Sequence, residues 1–296
     1  MPFVQQNVNY AADYSRALAN AYPYLSYYGR IWGSDNSSRY KSGMGKIMYI
    51  PSLEVSGAHA VDRDNLTGVF TRNWNNSLQP FEMQMDREWD TLVDPMDIDE
   101  TNMVASIANI TKTFVEQQKI PEMDAFLSTV LYAAATPDTT ALTAANILTT
   151  WDGYLESLAN ARVNRDRVVA YLDPATYKLL KEAAGLTRFV DVSNGIRGVD
   201  RNVARLDGVE LVEVPADLMK SSYTFTSGWA AASGAKQIHM ILVDPDAVAA
   251  PVKYETSMVS APTAQSKGKY LYYERYYYGA IVLAQRTGGL IVNAAA

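Results

Sequence analysis

Two carboxylate pairs are the first residues here that could do chemistry: Asp97 with Asp99, and Asp244 with Asp246. Paired carboxylates can hold a metal ion or share protons. Both pairs stand where helices are expected to begin, and an aspartate that caps first-turn amides explains them more simply. Nucleophilic chemistry lacks its parts. The chain has no cysteine, hence no disulfide framework, thiolate metal site or thiol nucleophile. Its two histidines are His59, in a strand-rich stretch, and His239, in a run of buried-strand type. Two histidines exclude a multi-histidine metal site. No Gly-x-Ser-x-Gly elbow offers a serine. Gly195-Ile196-Arg197-Gly198 lacks the Lys-Ser/Thr ending of a phosphate loop. These residues imply no catalytic group, no metal site and no cofactor.

Composition sets wider bounds. With 296 residues, 48% apolar and 20% charged, the chain is globular and long enough for two or three interlocked subdomains. The net charge is −6 and no block of Lys and Arg stands out, which argues against sequence-specific or tight nucleic-acid binding. No apolar run approaches the ~18 residues of a membrane span. The start, Met1-Pro2-Phe3-Val4-Gln5-Gln6, lacks the charged-then-apolar pattern of a signal peptide. Tyrosine, with 20 copies, joins large apolar area to one polar end and suits interfaces.

The elements that would position such contacts follow from periodicity. Residues 1–45 are poor in aliphatic side chains yet carry Tyr22, Tyr24, Tyr27, Tyr28 and Trp32, as an arm laid on another surface would. A short helix is expected over Tyr10 to Ala21, and loop chemistry at 33–38. Residues 46–93 read as a long hairpin: Ile47–Ile50 and Leu53–Val55 rise, Thr67–Trp74 and Leu78–Trp89 descend, and Asp62-Arg63-Asp64 mark a solvated tip. Such a ribbon is marginal alone and should lean outside its own subunit.

Asp99 is expected to cap a helix over 99–135, with Met103, Ile107, Ile110, Phe114, Phe126 and Val130 on one stripe. Pro121 should bend or break it near Gln118, acting as a hinge. At about 1.5 Å per residue such a spine spans roughly 45 Å. Residues 136–243 look like an α/β unit. A helix capped by Thr143 precedes the strand Val168–Leu172, and Asp173-Pro174 opens a helix that Gly185 stops. Asp207-Gly208 is a tight turn, and Ile238–Val243 is a buried strand. In the tail Tyr270, Tyr272, Glu274, Tyr276 and Tyr278 share one strand face, with Leu271, Tyr273, Arg275 and Tyr277 on the other. Residues 281–284 should continue that strand, and Leu290–Val292 form a last short one. One tyrosine face is expected on the spine, against Phe114, Phe126 and Val130, and the other on the arm or a neighbouring subunit.

Three fragments, in order, resemble the major capsid proteins of tailed bacteriophages, the shell-protein family shared with cellular encapsulin compartments. They are Asp99-Glu100-Thr101-Asn102 with Ile120-Pro121-Glu122-Met123-Asp124-Ala125, then Leu206 to Pro215, then Ile241 to Tyr254. The resemblance implies an α+β fold of five parts: an N-terminal arm (1–45), an extended β-hairpin (46–93), a spine helix of the peripheral domain (94–135), an α/β axial domain (136–243) and closing peripheral strands (244–296).

It also implies a non-enzymatic subunit that assembles into hexamers and pentamers of an icosahedral shell around double-stranded DNA. The implied location is the virion, after assembly in the host bacterial cytoplasm. The implied partners are further copies of the chain, a portal protein and, in some relatives, a decoration protein. The chain lacks the removable N-terminal scaffold domain of some members, so a separate scaffolding protein is expected. Some members weld neighbours through a hairpin lysine; none lies between His59 and Thr71, which argues against cross-linking. The implied intersubunit residues are Asp62, Arg63, Asp64, Trp32, Tyr272, Tyr273, Tyr276 and Tyr277. The alternatives are an encapsulin-like compartment, or an enzyme or binding protein on the central α/β unit.

Overall fold

The computed structural model describes residues 26–36, 47–57, 74–100, 106–183 and 203–296. The helix expected over Tyr10 to Ala21, the hairpin tip with Asp62, Arg63 and Asp64, and Gly185 lie outside them.

A five-stranded mixed sheet forms the centre, in the order β14 (Leu290–Ala294), β9 (Ile238–Val243), β4 (Val169–Leu172), β6 (Val209–Glu213), β5 (Arg205–Leu206). Only β4 and β6 run parallel. The sheet is buried on both faces, which is why β4 is an unbroken apolar run and β9 is one but for His239. Ala170, Leu172, Met240 and Leu242 pack with Trp151, Leu155 and Leu158 of helix Ile147–Asn160 and with Tyr177 of helix Pro174–Glu182. Val169, Tyr171, Ile241 and Val292 share the opposite core with Tyr28, Ile31, Leu127 and Leu131. The turn chemistry holds. Asp173 accepts from the Thr176 amide at 2.7 Å, and Asp207 (φ 52) with Gly208 (φ 89) makes the tight β5–β6 turn.

The spine runs through Ile107–Phe114, a π-helical turn at Val115–Lys119, and Ile120–Ala134. Proline at 121 has no N–H to donate, and the turn before it widens: the Ile120 amide bonds back to the Val115 carbonyl. The first half faces a three-stranded antiparallel sheet, β11 (Val252–Ser260), β12 (Tyr270–Tyr278) and β3 (Met85–Val93). The second half covers the central sheet. A separate two-stranded ribbon pairs β1 (Ile47–Val55) with β2 (Trp74–Glu82).

Several expectations need correction. Asp99 does not cap the spine: it lies within the short helix Pro95–Glu100, which Asp94 opens by accepting from the Met96 amide at 3.0 Å. Ser106 caps the spine through the Asn109 amide. The descending strand Leu78–Trp89 is two strands in two sheets. It breaks at Met83-Gln84, where Gln84 exchanges hydrogen bonds with both backbone groups of Ala280, at 3.2 Å each. Gly279 permits that approach, since a Cβ there would lie 3.1 Å from Met83 Cα. Ile281-Val282 does not continue β12 but pairs with Val248-Ala249. The last strand joins the central sheet instead of the peripheral one. It pairs with β9 and is held from its other side by Asp138, whose amide donates to the Val292 carbonyl at 2.8 Å. Asp35 and Asn36, expected in a loop, are helical.

One buried carboxylate ties the N-terminal segment to the spine. Asp124, fully buried, accepts from Ser26 Oγ at 2.9 Å, the Tyr27 amide at 2.9 Å and Trp32 Nε1 at 3.3 Å. Asp124→Ala would strand those donors, at about 2–4 kcal/mol for bonds to a charged acceptor. Denaturant unfolding should show that loss, and limited proteolysis should cut first near residues 26–32. Unchanged stability would mean that the segment is held by packing alone.

Candidate self-assembly surface

Alternation along β12 sorts its side chains onto two faces with different chemistry. Glu274, Tyr276 and Tyr278 are buried toward the spine. There Lys119 Nζ meets Glu274 Oε1 at 2.5 Å and lies 4.4 Å from the Tyr276 ring centre. Arg87 on β3 grips both oxygens of Glu122, at 2.7 and 2.8 Å, and Tyr278 donates to the same carboxylate at 2.9 Å. Burial, reinforced by Glu122, pushes the Tyr278 phenol well above its ordinary value, so it stays a donor. Phe126 meets Tyr278 edge-on at 5.3 Å. Phe114 reaches the sheet through Trp89, stacked at 4.0 Å. Val130 packs, half-buried, against the central core.

The other face is half-buried, nearer to water. Tyr273 donates to Glu88 at 3.3 Å, and Arg275 holds Asp86 through two bonds at 3.0 and 3.2 Å. The guanidinium carbon of Arg275 lies 5.2 Å from the centre of the Tyr277 ring. Of the four tyrosines expected at an intersubunit contact, Tyr276 is therefore buried on its own spine, with Tyr272 half-buried on the same side. Tyr273 and Tyr277 are the pair left on the outer face. Trp32 is also spent internally: it sits against Asp124 and 6.0 Å from the Tyr278 ring.

The ribbon β1–β2 is one-sided in a different way. Register places Ile47, Tyr49, Pro51, Leu53 and Val55 across from Glu82, Pro80, Leu78, Asn76 and Trp74 on one face. Leu53, Val55 and Leu78 stand 59%, 69% and 62% exposed. Water meets a charge-poor apolar ladder there, the mark of a surface built to be covered.

The carboxylate pairs are structural. Asp244 caps a 3₁₀ turn by accepting from the Asp246 amide at 3.1 Å, and Asp246 pairs with Arg167 and, at 3.8 Å, with Arg286. Asp97 and Asp99 lie in one short helix. Among the described residues no group of three or more metal-ligating side chains converges. His239 Nδ1 lies 3.2 Å from Asp173, whose carboxylate is already a helix cap. Sequence reasoning missed Arg87, Lys119 and Glu122. The available signal was Glu274, a single carboxylate in the middle of an aromatic face, which required a cation opposite.

No protein-family model matches the chain, and no curated protein matches it. Solved structures do. A chain of Mycobacterium phage Che8 aligns over 97% of this chain and 98% of its own length, with TM-score 0.66 and 15% identity. A chain from the capsid of cyanophage P-SCSP1u aligns over 97% and 93%, at TM-score 0.66 and 12% identity. One from the mature capsid of bacteriophage PhiM1 aligns over 100% and 91%, at TM-score 0.62 and 11% identity. The chain has the mixed helix-and-sheet fold of phage capsid subunits.

The buried pair gives a direct test. Lys119→Met leaves Glu274 uncompensated and should lower stability by about 3–5 kcal/mol. Adding Glu274→Leu should recover most of that in denaturant melts. A single variant as stable as the parent would show that the carboxylate finds another partner.

Proposed function

We propose that this chain is the major subunit of a phage shell, working through contacts with copies of itself rather than through catalysis. One observation carries the reading: a fold shared with capsid chains over nearly their whole length, joined to a ribbon whose apolar face lies open among the described residues. In this reading the ribbon lies on a neighbour, and the copies form hexamers and pentamers of an icosahedral shell around packaged double-stranded DNA. A separate scaffolding protein directs assembly in the host cytoplasm, a portal protein occupies one vertex, and a decoration protein is an optional outer partner. Asp62, Arg63 and Asp64 pair across subunits at the ribbon tip. No helix among the described residues is long and apolar enough to cross a membrane.

Electron microscopy of purified protein tests the reading: shells or capsomer rings are expected, and compact monomers would remove it. A chain lacking residues 55–70 should fold, as read by circular dichroism, yet close no particles. Complete shells from that variant would show that the ribbon is not the clasp.

Hexamers and pentamers impose different curvature, and in this proposal Pro121 with the π turn before it is the hinge that lets one sequence serve both. Pro121→Ala restores an amide that can donate, and it should favour uniform helix. Open sheets or tubes should then replace some closed particles in micrographs. An unchanged particle population would remove the hinge.

A further inference from the structure

Arginines that lie far apart in the sequence meet at one corner of the central unit. Arg162, Arg165 and Arg167 follow helix Ile147–Asn160, and Arg286 comes from the turn before β14. Arg162, Arg167 and Arg286 line one cleft of about 290 Å³, together with Gly288 and Gly289. Arg165 stands exposed on the same turn as Arg167. The chain as a whole carries a net charge of −6, so this corner runs against its average. Carboxylates share the corner without consuming it. Asp246 pairs with Arg167 and Arg286, and Asp244 lies 3.8 Å from Arg167. Arg167 and Arg286 still keep 49% and 51% of their side-chain surface open. Asp166 is directed to the β5–β6 turn, 3.3 Å from where a Cβ on Gly208 would lie. Arg162 and Arg165 have no ion pair among the described residues.

The backbone of Arg162 adds a second observation. Its helix ends where the chain reverses: the Arg162 amide donates to the Ala159 carbonyl and the Val163 amide to the Leu158 carbonyl, at 3.0 Å each. Glycine is the common residue at that reversal, because it takes left-handed backbone at no steric cost. Arg162 takes it with φ 61. A cation beside the last carbonyls favours any helix. One inside the last turn would do so without strain, and this helix has none there. The strained position instead sets a guanidinium at the cleft.

We propose that this cleft binds a phosphate-type anion, free or carried in a nucleic-acid backbone. Guanidinium groups arriving from separate segments suit a tetrahedral group with several acceptor oxygens, whereas a planar carboxylate is satisfied by one arginine fork. A single site of this kind is weak and salt-sensitive, in keeping with a chain that has no basic block. The site belongs to the folded subunit and does not depend on the shell reading.

Titration of the full chain with inorganic phosphate at constant ionic strength, followed by phosphorus NMR, tests the site. Phosphate also stabilises folds in general by exclusion from their surface, so binding is compared between variants rather than read from melting alone. Arg162→Gly relieves the backbone and should melt no lower than the parent in chloride. It should weaken phosphate binding roughly tenfold, the loss expected for one charge-assisted contact. Adding Arg165→Gln should weaken it further, and sulfate should compete in the parent. Equal phosphate binding by the parent and the double variant, or none by either, would overturn the site. Arg162→Gly melting well below the parent with phosphate binding intact would make the arginine structural and overturn it too. Succinate bound as tightly as phosphate would overturn the phosphate reading in favour of an acidic protein partner. Fluorescence anisotropy of a labelled DNA duplex separates the two sources. Duplex binding that the double variant loses assigns backbone phosphate, and phosphate binding without duplex binding assigns the free ion.

Discussion

A lysine and a glutamate taken out of water together set the geometry of half this molecule. Lys119 and Glu274 meet at 2.5 Å, both almost wholly buried. Desolvating the two charges is expensive, and only close contact with further polar neighbours recovers that loss. Those neighbours are present: Tyr272 donates to the second oxygen of Glu274 at 2.9 Å, and the Tyr276 ring lies over the ammonium. Charges so placed have one favourable position, whereas apolar side chains could slide. The spine is thereby fixed on β12 in one register. The π turn belongs to the same constraint, because it ends at Lys119 and so sets the direction in which that side chain leaves the helix.

The second half of the spine is held by different physics. Leu127 and Leu131 have no charge to place; they fill space against Tyr171, Ile241 and Val292. Asp124 and Ser128 then supply the polar detail, capturing the segment before α1 (Gly29–Trp32) and the hydroxyl of Tyr28 at 2.9 Å. One helix thus joins an ion-paired contact to an apolar one, with Pro121 between them. A change in helix direction at the π turn would alter how the two sheets face each other without disturbing either core.

How much of this was legible follows from range. Asp173-Pro174, Asp207-Gly208 and the runs at β4 and β9 were readable because caps, turn residues and apolar periodicity are local signals. The capsid-like fold was legible from fragments in order, and the two-faced tyrosine strand from alternation alone. Partner choice was not. Nothing within Leu290–Val292 says that it pairs with β9 rather than beside β12. Nothing in Leu78–Trp89 marks the break at Gln84, because the cause is Gly279-Ala280, far along the chain. Alternation placed Glu274 on a face, but its cation lies 155 residues away. Asp99 failed as a cap for a simpler reason: Asp94-Pro95 is the stronger start signal and opens its own short helix.

The two faces of the three-stranded sheet treat charge differently. The spine face spends its charges in buried pairs, which are specific and salt-resistant. The outer face keeps its charges nearer water, with Arg275 on Asp86 and Tyr273 on Glu88, whereas the ribbon's open face is mainly Leu, Val and aromatic rings, whose attraction is non-directional and grows with area. The buried pairs hold the sheet on the spine in one position, and the surface it presents outward is fixed by them.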